Sequence, residues 1–182
     1  VAASQAAVNT FEIVNEIANT KRLSFLIIGG HAVNAYGYSR FTEDLDVLIN
    51  KEEKSTWLTA LEAQGFSLYN DGGTFLQMTP PSGADPLDLM LVTPETFTKL
   101  NEGNKTVEIC GLQMRVPSLE SLFALKLHVL KQEVPNRSYK DLMDILSLAE
   151  CNEVDLHSDK FRNLCEKFGS RKIYERILAF QG

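Results

Sequence analysis

The chain has 182 residues, 44% of them hydrophobic, and a formal net charge of −6. That is enough apolar material for one well-buried core, while no apolar run is long enough to cross a bilayer. The acidic balance argues against a protein that wraps extended nucleic acid through many phosphate contacts. Val1–Ala7 lacks the basic and apolar regions of a signal peptide. Cys110, Cys151 and Cys165 are odd in number, widely spaced and without a metal-ligand pattern. A cytoplasmic protein with reduced thiols and no membrane partner is expected.

In chain order, Ser4–Thr20 has Val8, Phe11, Val14 and Ile17 at helical spacing. A short apolar strand, Phe25–Ile28, leads through Gly29-Gly30 into a helix at His31–Tyr36, and Leu45–Ile49 reads as a second strand. Lys51–Gln64 forms a helix that faces Trp57, Leu58 and Leu61 inward and ends at Gly65. Phe66–Tyr69 and Thr74–Met78 flank an Asn70-Asp71-Gly72-Gly73 turn. After the Pro- and Gly-containing loop Thr79–Asp85, Leu87–Val92 is a mostly apolar strand. Pro94 suits the first turn of a helix over Thr93–Leu100, and Val107–Cys110 with Leu112–Val116 makes a hairpin. From Ser118 the pattern is helical: Leu119–Lys131, Arg137–Glu150, Lys160–Phe168 and Arg171–Phe180, punctuated by Pro135 and Gly169.

The residues with chemistry in them cluster on a few of these elements. Asp44 and Asp46 stand at i and i+2 and share one face of a strand, with Leu45, Val47 and Ile49 on the other. Asp is depleted in strands and adjacent like charges repel, so a divalent cation is the simplest agent to neutralise them. Asp88, the single acid inside Leu87–Val92, joins the pair if its strand lies alongside. Asp85 competes with it, but precedes Pro86 at a loop–strand junction. Three carboxylates would suit one or two Mg²⁺ ions, which share themselves readily with substrate phosphates. Gly29 and Gly30 would let a ligand approach the backbone, and N–H groups at a helix start favour phosphate oxygens. His31 either touches a phosphate or is an ordinary first-turn residue. Arg40 either clamps a triphosphate or pairs with Glu43 or Asp44; Thr42 lies on the same approach to the acidic strand.

Further along, Lys126 falls on the apolar stripe of Leu119, Leu122, Phe123 and Leu130. It must snorkel to the surface or meet an anionic partner. Arg137, Lys140, Asp141 and Asp144 form a charged stripe beside Leu142, Ile145, Leu146 and Ala149, for which surface ion pairs are the plain reading. Arg162, Lys167, Arg171, Lys172 and Arg176 fit the solvated face of a terminal helix. His128 and His157 have no zinc-site spacing, and neither a Gly-x-Ser-x-Gly elbow nor a Walker-type loop is present.

Gly29-Gly30, then Asp44-x-Asp46, then Asp88 resemble the signature of the nucleotidyltransferase superfamily, the polymerase-beta-like fold. The fuller string Gly-Gly-His-Ala-Val-Asn-Ala-Tyr-Gly, with Arg40-Phe-Thr42-Glu-Asp44-Leu-Asp46, is similar to a narrower branch. That branch holds small bacterial nucleotidyltransferases related to abortive-infection toxins. Its later motif, a helix lysine followed by a basic–Asp pair on the next helix, is matched by Lys126 and Lys140-Asp141. The resemblance covers roughly residues 20 to 150.

The resemblance implies an α/β (α+β) fold: a nucleotidyltransferase core with a mixed β-sheet over residues 1–116 and a helical part over 117–182, packed on the same domain. It implies a Mg²⁺-dependent (or Mn²⁺-dependent) enzyme that moves a nucleoside monophosphate from a nucleoside triphosphate such as ATP to a hydroxyl and releases pyrophosphate. Asp44, Asp46 and Asp88 would be catalytic and metal-binding; Gly29, Gly30, Arg40, Thr42, Lys126, Lys140 and Asp141 would bind nucleotide or phosphate. The acceptor could be an RNA 3′ end, a protein hydroxyl or a small molecule such as an antibiotic, and a protein antitoxin is a further partner. Two alternatives stand beside this: a non-catalytic, antitoxin-like or regulatory module that binds nucleotide or protein, and a kinase-like transfer of the γ-phosphate. The complete carboxylate set argues against a retired site.

Overall fold

The computed structural model describes residues 9–132 and 138–180. Helix α1 (Thr10–Lys21) starts where the Asn9 side chain accepts from Phe11 N–H and ends on Arg22 in the left-handed conformation. Strand β1 (Phe25–Ile27) is followed at once by α2 (Gly29–Ala35), so the two glycines are the first residues of that helix and not a linker before it. Strand β2 (Leu45–Asn50) leads through one 3₁₀ turn (Lys51–Glu53) into α3 (Lys54–Ala63). Next come β3 (Ser67–Asp71), β4 (Phe75–Thr79), β5 (Leu87–Val92) and α4 (Pro94–Asn101), which has Pro94 in its first turn. A hairpin of β6 (Lys105–Ile109) and β7 (Leu112–Val116) precedes four helices: α5 (Leu119–Lys131), α6 (Ser138–Cys151), α7 (Asp159–Phe168) and α8 (Arg171–Ala179). Ser4–Val8, expected to open the first helix, and Arg137, expected to open the sixth, lie outside the described residues.

The chain divides into two compact units, Val1–Ala32 with Phe41–Pro117 and Val33–Arg40 with Ser118–Gly182. In the first, five strands form a mixed sheet in the order β1-β2-β5-β4-β3. Only β2 and β5 run parallel. Because side chains alternate, the register defines two faces. Phe25, Ile27, Leu45, Val47, Ile49, Leu76, Met78, Leu87, Leu89 and Leu91 share one and are all buried. Trp57 of α3 packs edge-on against Phe25 there, with ring centroids 5.9 Å apart, and α1 packs beside α3. The other face carries Asp46, Asp88 and Gln77 at one end, with the buried Leu26 and Leu48 further along.

The second unit is a helical cluster. Ser118, Ser158 and Ser170 cap α5, α7 and α8, each accepting a backbone N–H with its hydroxyl. Its core gathers Leu122, Phe123, Leu127, Leu142, Ile145, Leu148, Phe161, Cys165 and Ile177. Phe123 meets Phe161 edge-to-face at 5.5 Å, and the Tyr174 hydroxyl donates to the Leu156 carbonyl at 3.2 Å. Val33–Arg40 joins this unit through Asn152, whose amide donates to the Tyr36 carbonyl at 2.9 Å.

Burial pushes the Cys165 thiol up to about 12, whereas Cys110 and Cys151 are exposed. Reactivity follows the thiolate fraction. Iodoacetamide at pH 8 should therefore add twice to the native protein and a third time only after unfolding, as read by intact mass.

Candidate active site

The approach of α2 to β2 is set by backbone. Ile28 N–H donates to the Asp46 carbonyl at 2.9 Å, which pins the end of β1 beside Asp46. Gly29 follows with φ +61°, a conformation that L side chains rarely adopt. The Asp46 side chain lies against it. A Cβ placed on Gly29 would stand 1.9 Å from Asp46 Oδ2 and 2.6 Å from its Cγ. The glycine is thus required twice over, by its own dihedral and by the carboxylate that occupies the space a side chain would need. His31, two residues on, turns its ring edge-on to Phe11 at 4.9 Å.

Asp46 and Asp88 are register partners on the parallel strands β2 and β5, so their side chains leave the sheet on the same face. Asp46 is half-buried and Asp88 is buried. Across the next pairing Gln77 of β4 opposes Asp88, and its Nε2 reaches Asp88 Oδ2 at 3.5 Å. Asp44 does not sit on the strand: β2 starts at Leu45, and Asp44 occupies an exposed bend one residue earlier. The Thr42 hydroxyl donates to the Asp44 carbonyl at 3.5 Å. Among the described residues no three His, Cys, Asp or Glu side chains form a metal-holding group. Two neighbouring carboxylates still match the donor set of Mg²⁺, which keeps several waters and takes one or two carboxylates together with substrate phosphates.

Three of the remaining expected site residues, Arg40, Lys126 and Asp141, meet in the helical unit, in an arrangement their local sequence does not reveal. Lys126 is buried on α5, and its Nζ lies 2.7 Å from Asp141 Oδ1 and 2.7 Å from Asp144 Oδ2 on α6. Asp144 in turn takes Arg40 in a two-point contact, Nε to Oδ1 at 2.8 Å and Nη2 to Oδ2 at 3.1 Å. Asn34 brackets the Arg40 backbone, donating to its carbonyl and accepting from its N–H, both at 3.0 Å. Lys126 therefore finds anionic partners inside its own unit, and the carboxylate holding Arg40 is Asp144, 104 residues away. Lys140 is exposed. Asn34 is a residue a reading of the sequence passes over, and Asp144, expected in a stripe of surface ion pairs, is buried. The available signal for Asp144 was its place on the stripe of Asp141, Ile145 and Leu148, all of them buried; Asn34 carried none.

A mixed sheet with Gly29 set against Asp46, and Asp46 beside Asp88, is built into a fold shared with solved nucleotidyltransferase structures. The antibiotic-resistance factor ANT(2'')-Ia aligns with a TM-score of 0.67 and 18% identity, over 94% of this chain and 96% of its own. The lincosamide antibiotic adenylyltransferase LnuA aligns with a TM-score of 0.54 and 12% identity, over 76% of this chain and 95% of its own. An antigenic nucleotidyltransferase-like protein from Paracoccidioides brasiliensis aligns with a TM-score of 0.52 and 16% identity, over 96% and 95%. Residues 94–181 match the family model of the nucleotidyl transferase AbiEii toxin of a type IV toxin–antitoxin system. The matched stretch contains Lys126, Asp141 and Asp144 and excludes Gly29, Asp46 and Asp88. No curated protein matches the sequence significantly.

Two substitutions probe these contacts. Gly29→Ala should cost about 2 kcal/mol or more in urea unfolding. In a double-mutant cycle, Asp46→Ala should recover about 1 kcal/mol of that loss by vacating the clash. Asp144→Ala strips Arg40 and Lys126 of their shared partner and should cost about 3 kcal/mol by the same measurement.

Proposed function

We propose that the protein transfers a nucleoside monophosphate from a nucleoside triphosphate to an acceptor hydroxyl and releases pyrophosphate. The observation that carries the reading is the contact of Gly29 with Asp46 next to the in-register Asp88. It would account for a side-chain-free turn and two repelling carboxylates occurring together, both serving one polyanionic ligand. Asp46 and Asp88 would hold Mg²⁺ or Mn²⁺, which when bound offsets phosphate charge. The missing Cβ at Gly29 lets the Asp46 carboxylate lie against the start of α2, and the backbone N–H groups of Gly29 and Gly30 would be offered to phosphate oxygens. Asp88, less exposed than Asp46, would take the proton of the acceptor hydroxyl as general base. The acceptor oxygen then bonds to the α-phosphorus as the bond to the β-phosphate oxygen breaks. Asp44 and Thr42, on the approach to β2, would contribute from the substrate side.

Arg40, Lys126 and Asp141 are read differently. Their charges are compensated within the helical unit, so we assign them to the support of Val33–Arg40 and not to the phosphates. A compact acceptor suits the net charge of −6 better than extended nucleic acid. ANT(2'')-Ia, solved in complex with adenylyl-2''-tobramycin, and LnuA, solved with lincomycin bound, support a small-molecule hydroxyl over an RNA 3′ end. The match of residues 94–181 to a toxin family supports a cognate antitoxin as functional counterpart.

Thermal unfolding with Mg²⁺ and each nucleoside triphosphate tests the site before the acceptor is known. A triphosphate at a hundredfold over its Kd stabilises the fold by about 2.7 kcal/mol, a rise in Tm of roughly 5–10 °C for this size. The rise should require metal and nucleotide together and vanish in Asp46→Asn. A wild type that no triphosphate shifts would leave a binding module of the same fold. Release of a nucleoside diphosphate in place of pyrophosphate would point to γ-phosphate transfer.

A further inference from the structure

The polar face of the sheet continues past the two carboxylates. Reading across the strands in register, Asp46 on β2 opposes Asp88 on β5, Asp88 opposes Gln77 on β4, and Gln77 opposes Asn70 on β3. Four strands thus present one transverse polar row, and its last three members form a chain. Asn70 Nδ2 donates to Gln77 Oε1 at 3.0 Å, and Gln77 Nε2 faces Asp88 Oδ2 at 3.5 Å. Asn70 is exposed and Gln77 half-buried, while Asp88 is buried.

An amide has one donating and one accepting end, and which end faces Asp88 decides whether the contact attracts or repels. At 3.5 Å the contact is long for a hydrogen bond, and by itself it would fix little. Asn70 supplies the missing constraint. By donating to the Gln77 carbonyl oxygen it takes up the accepting end, so the donating end must point to the carboxylate. Strand β3 places Asn70 there by a bulge: the register runs from Leu68 opposite Met78 to Asn70 opposite Gln77 and skips Tyr69. A bulge that re-aims one side chain toward the carboxylate row has a clear purpose if that row is the reactive one.

We infer that Gln77, held in one orientation by Asn70, is the positioning residue for Asp88: it aims the carboxylate for metal and substrate from the side opposite Asp46. The inference rests on the metal–triphosphate reading of Asp46 and Asp88. It adds a two-residue relay that runs from an exposed edge strand to the buried acid. Partners of this kind around a ligating carboxylate typically affect metal affinity by about 10–100-fold.

The test is Mn²⁺ affinity of the full chain, read by electron paramagnetic resonance with and without a non-hydrolysable ATP analogue. It is made for wild type, Asp46→Asn, Gln77→Leu and Asn70→Asp. Asn70→Asp is nearly isosteric, exposed and well suited to fold. It replaces the donor to the Gln77 carbonyl by an acceptor, so the amide is no longer held with its donating end toward Asp88. Affinity should then fall about tenfold or more, with a comparable fall in Gln77→Leu, while the Tm of the metal-free protein stays within the range of a surface change. Plain electrostatics predicts the opposite sign, since an added carboxylate attracts a cation. Unchanged or tighter Mn²⁺ binding in Asn70→Asp, with Asp46→Asn still defective, overturns the relay and leaves the site reading intact. A wild type that binds no Mn²⁺, or an Asp46→Asn that binds as well as wild type, overturns both.

Discussion

Asp46 occupies the volume in which every residue but glycine would carry its Cβ at position 29. That single exclusion couples two pieces of backbone that would otherwise be independent, the start of α2 and the start of β2. It is reinforced by the Ile28–Asp46 backbone hydrogen bond, so the carboxylate has a wall on one side and Asp88 on the other. A repelling pair of acids in neighbouring strands destabilises a sheet. Here the hydrophobic residues on the opposite face, ten of them fully or nearly fully buried, provide far more than the repulsion removes, at roughly 1.5–3 kcal/mol per buried side chain. The sheet can therefore hold its acids in place before any ligand arrives, which is the condition for positional and electrostatic catalysis.

The charged cluster of the helical unit has a different character. Lys160–Glu120 and Arg171–Glu175 are exposed on both partners, and pairs of that kind contribute about 0–1 kcal/mol. Arg40, Lys126, Asp141 and Asp144 are mostly withdrawn from water, with Asp144 shared between two cations. Removing one member there leaves an uncompensated charge in a poor dielectric, which costs several times more than the pair contributes when intact. Such a cluster selects one registry of α5 against α6 and one path for Val33–Arg40. It contributes specificity before it contributes stability.

Much of this was legible in advance. The apolar periodicity of Leu119–Lys131 defined α5 to the residue, whereas the place of Lys126 on that stripe was compatible with snorkelling or with an anionic partner, and the lysine is buried against two carboxylates. Alternation in Leu45–Ile49 and Leu87–Val92 gave the two strands that turn out to be parallel neighbours. What periodicity cannot supply is the identity of a distant partner. Arg40 was expected to clamp a phosphate, with Glu43 or Asp44 as the alternative, and Asp144 on α6 holds its guanidinium. Gln77 is an unremarkable residue of a short strand until the register puts it beside Asp88. Asp44 was placed on a strand that begins one residue later, because the terminal residue of a strand is set by which neighbour it can pair with and not by its own type.

The chain passes between its two units three times, with Val33–Arg40 belonging to the helices that follow Pro117. During synthesis this segment leaves the ribosome long before the partner of Arg40, which lies 104 residues downstream. At about 5–20 residues per second the wait is roughly 5–20 s, very long beside the microsecond formation of a hairpin or helix. For that interval the strands of the first unit can pair while the Arg40 guanidinium waits for Asp144 and its loop has the Asn34 bracket as a local tie. The nascent chain thus acquires its sheet well before the segment between α2 and β2 is tied to α6, and a ribosome pause after β7 would prolong a species with formed strands and an unfinished connection between Gly29 and Asp46.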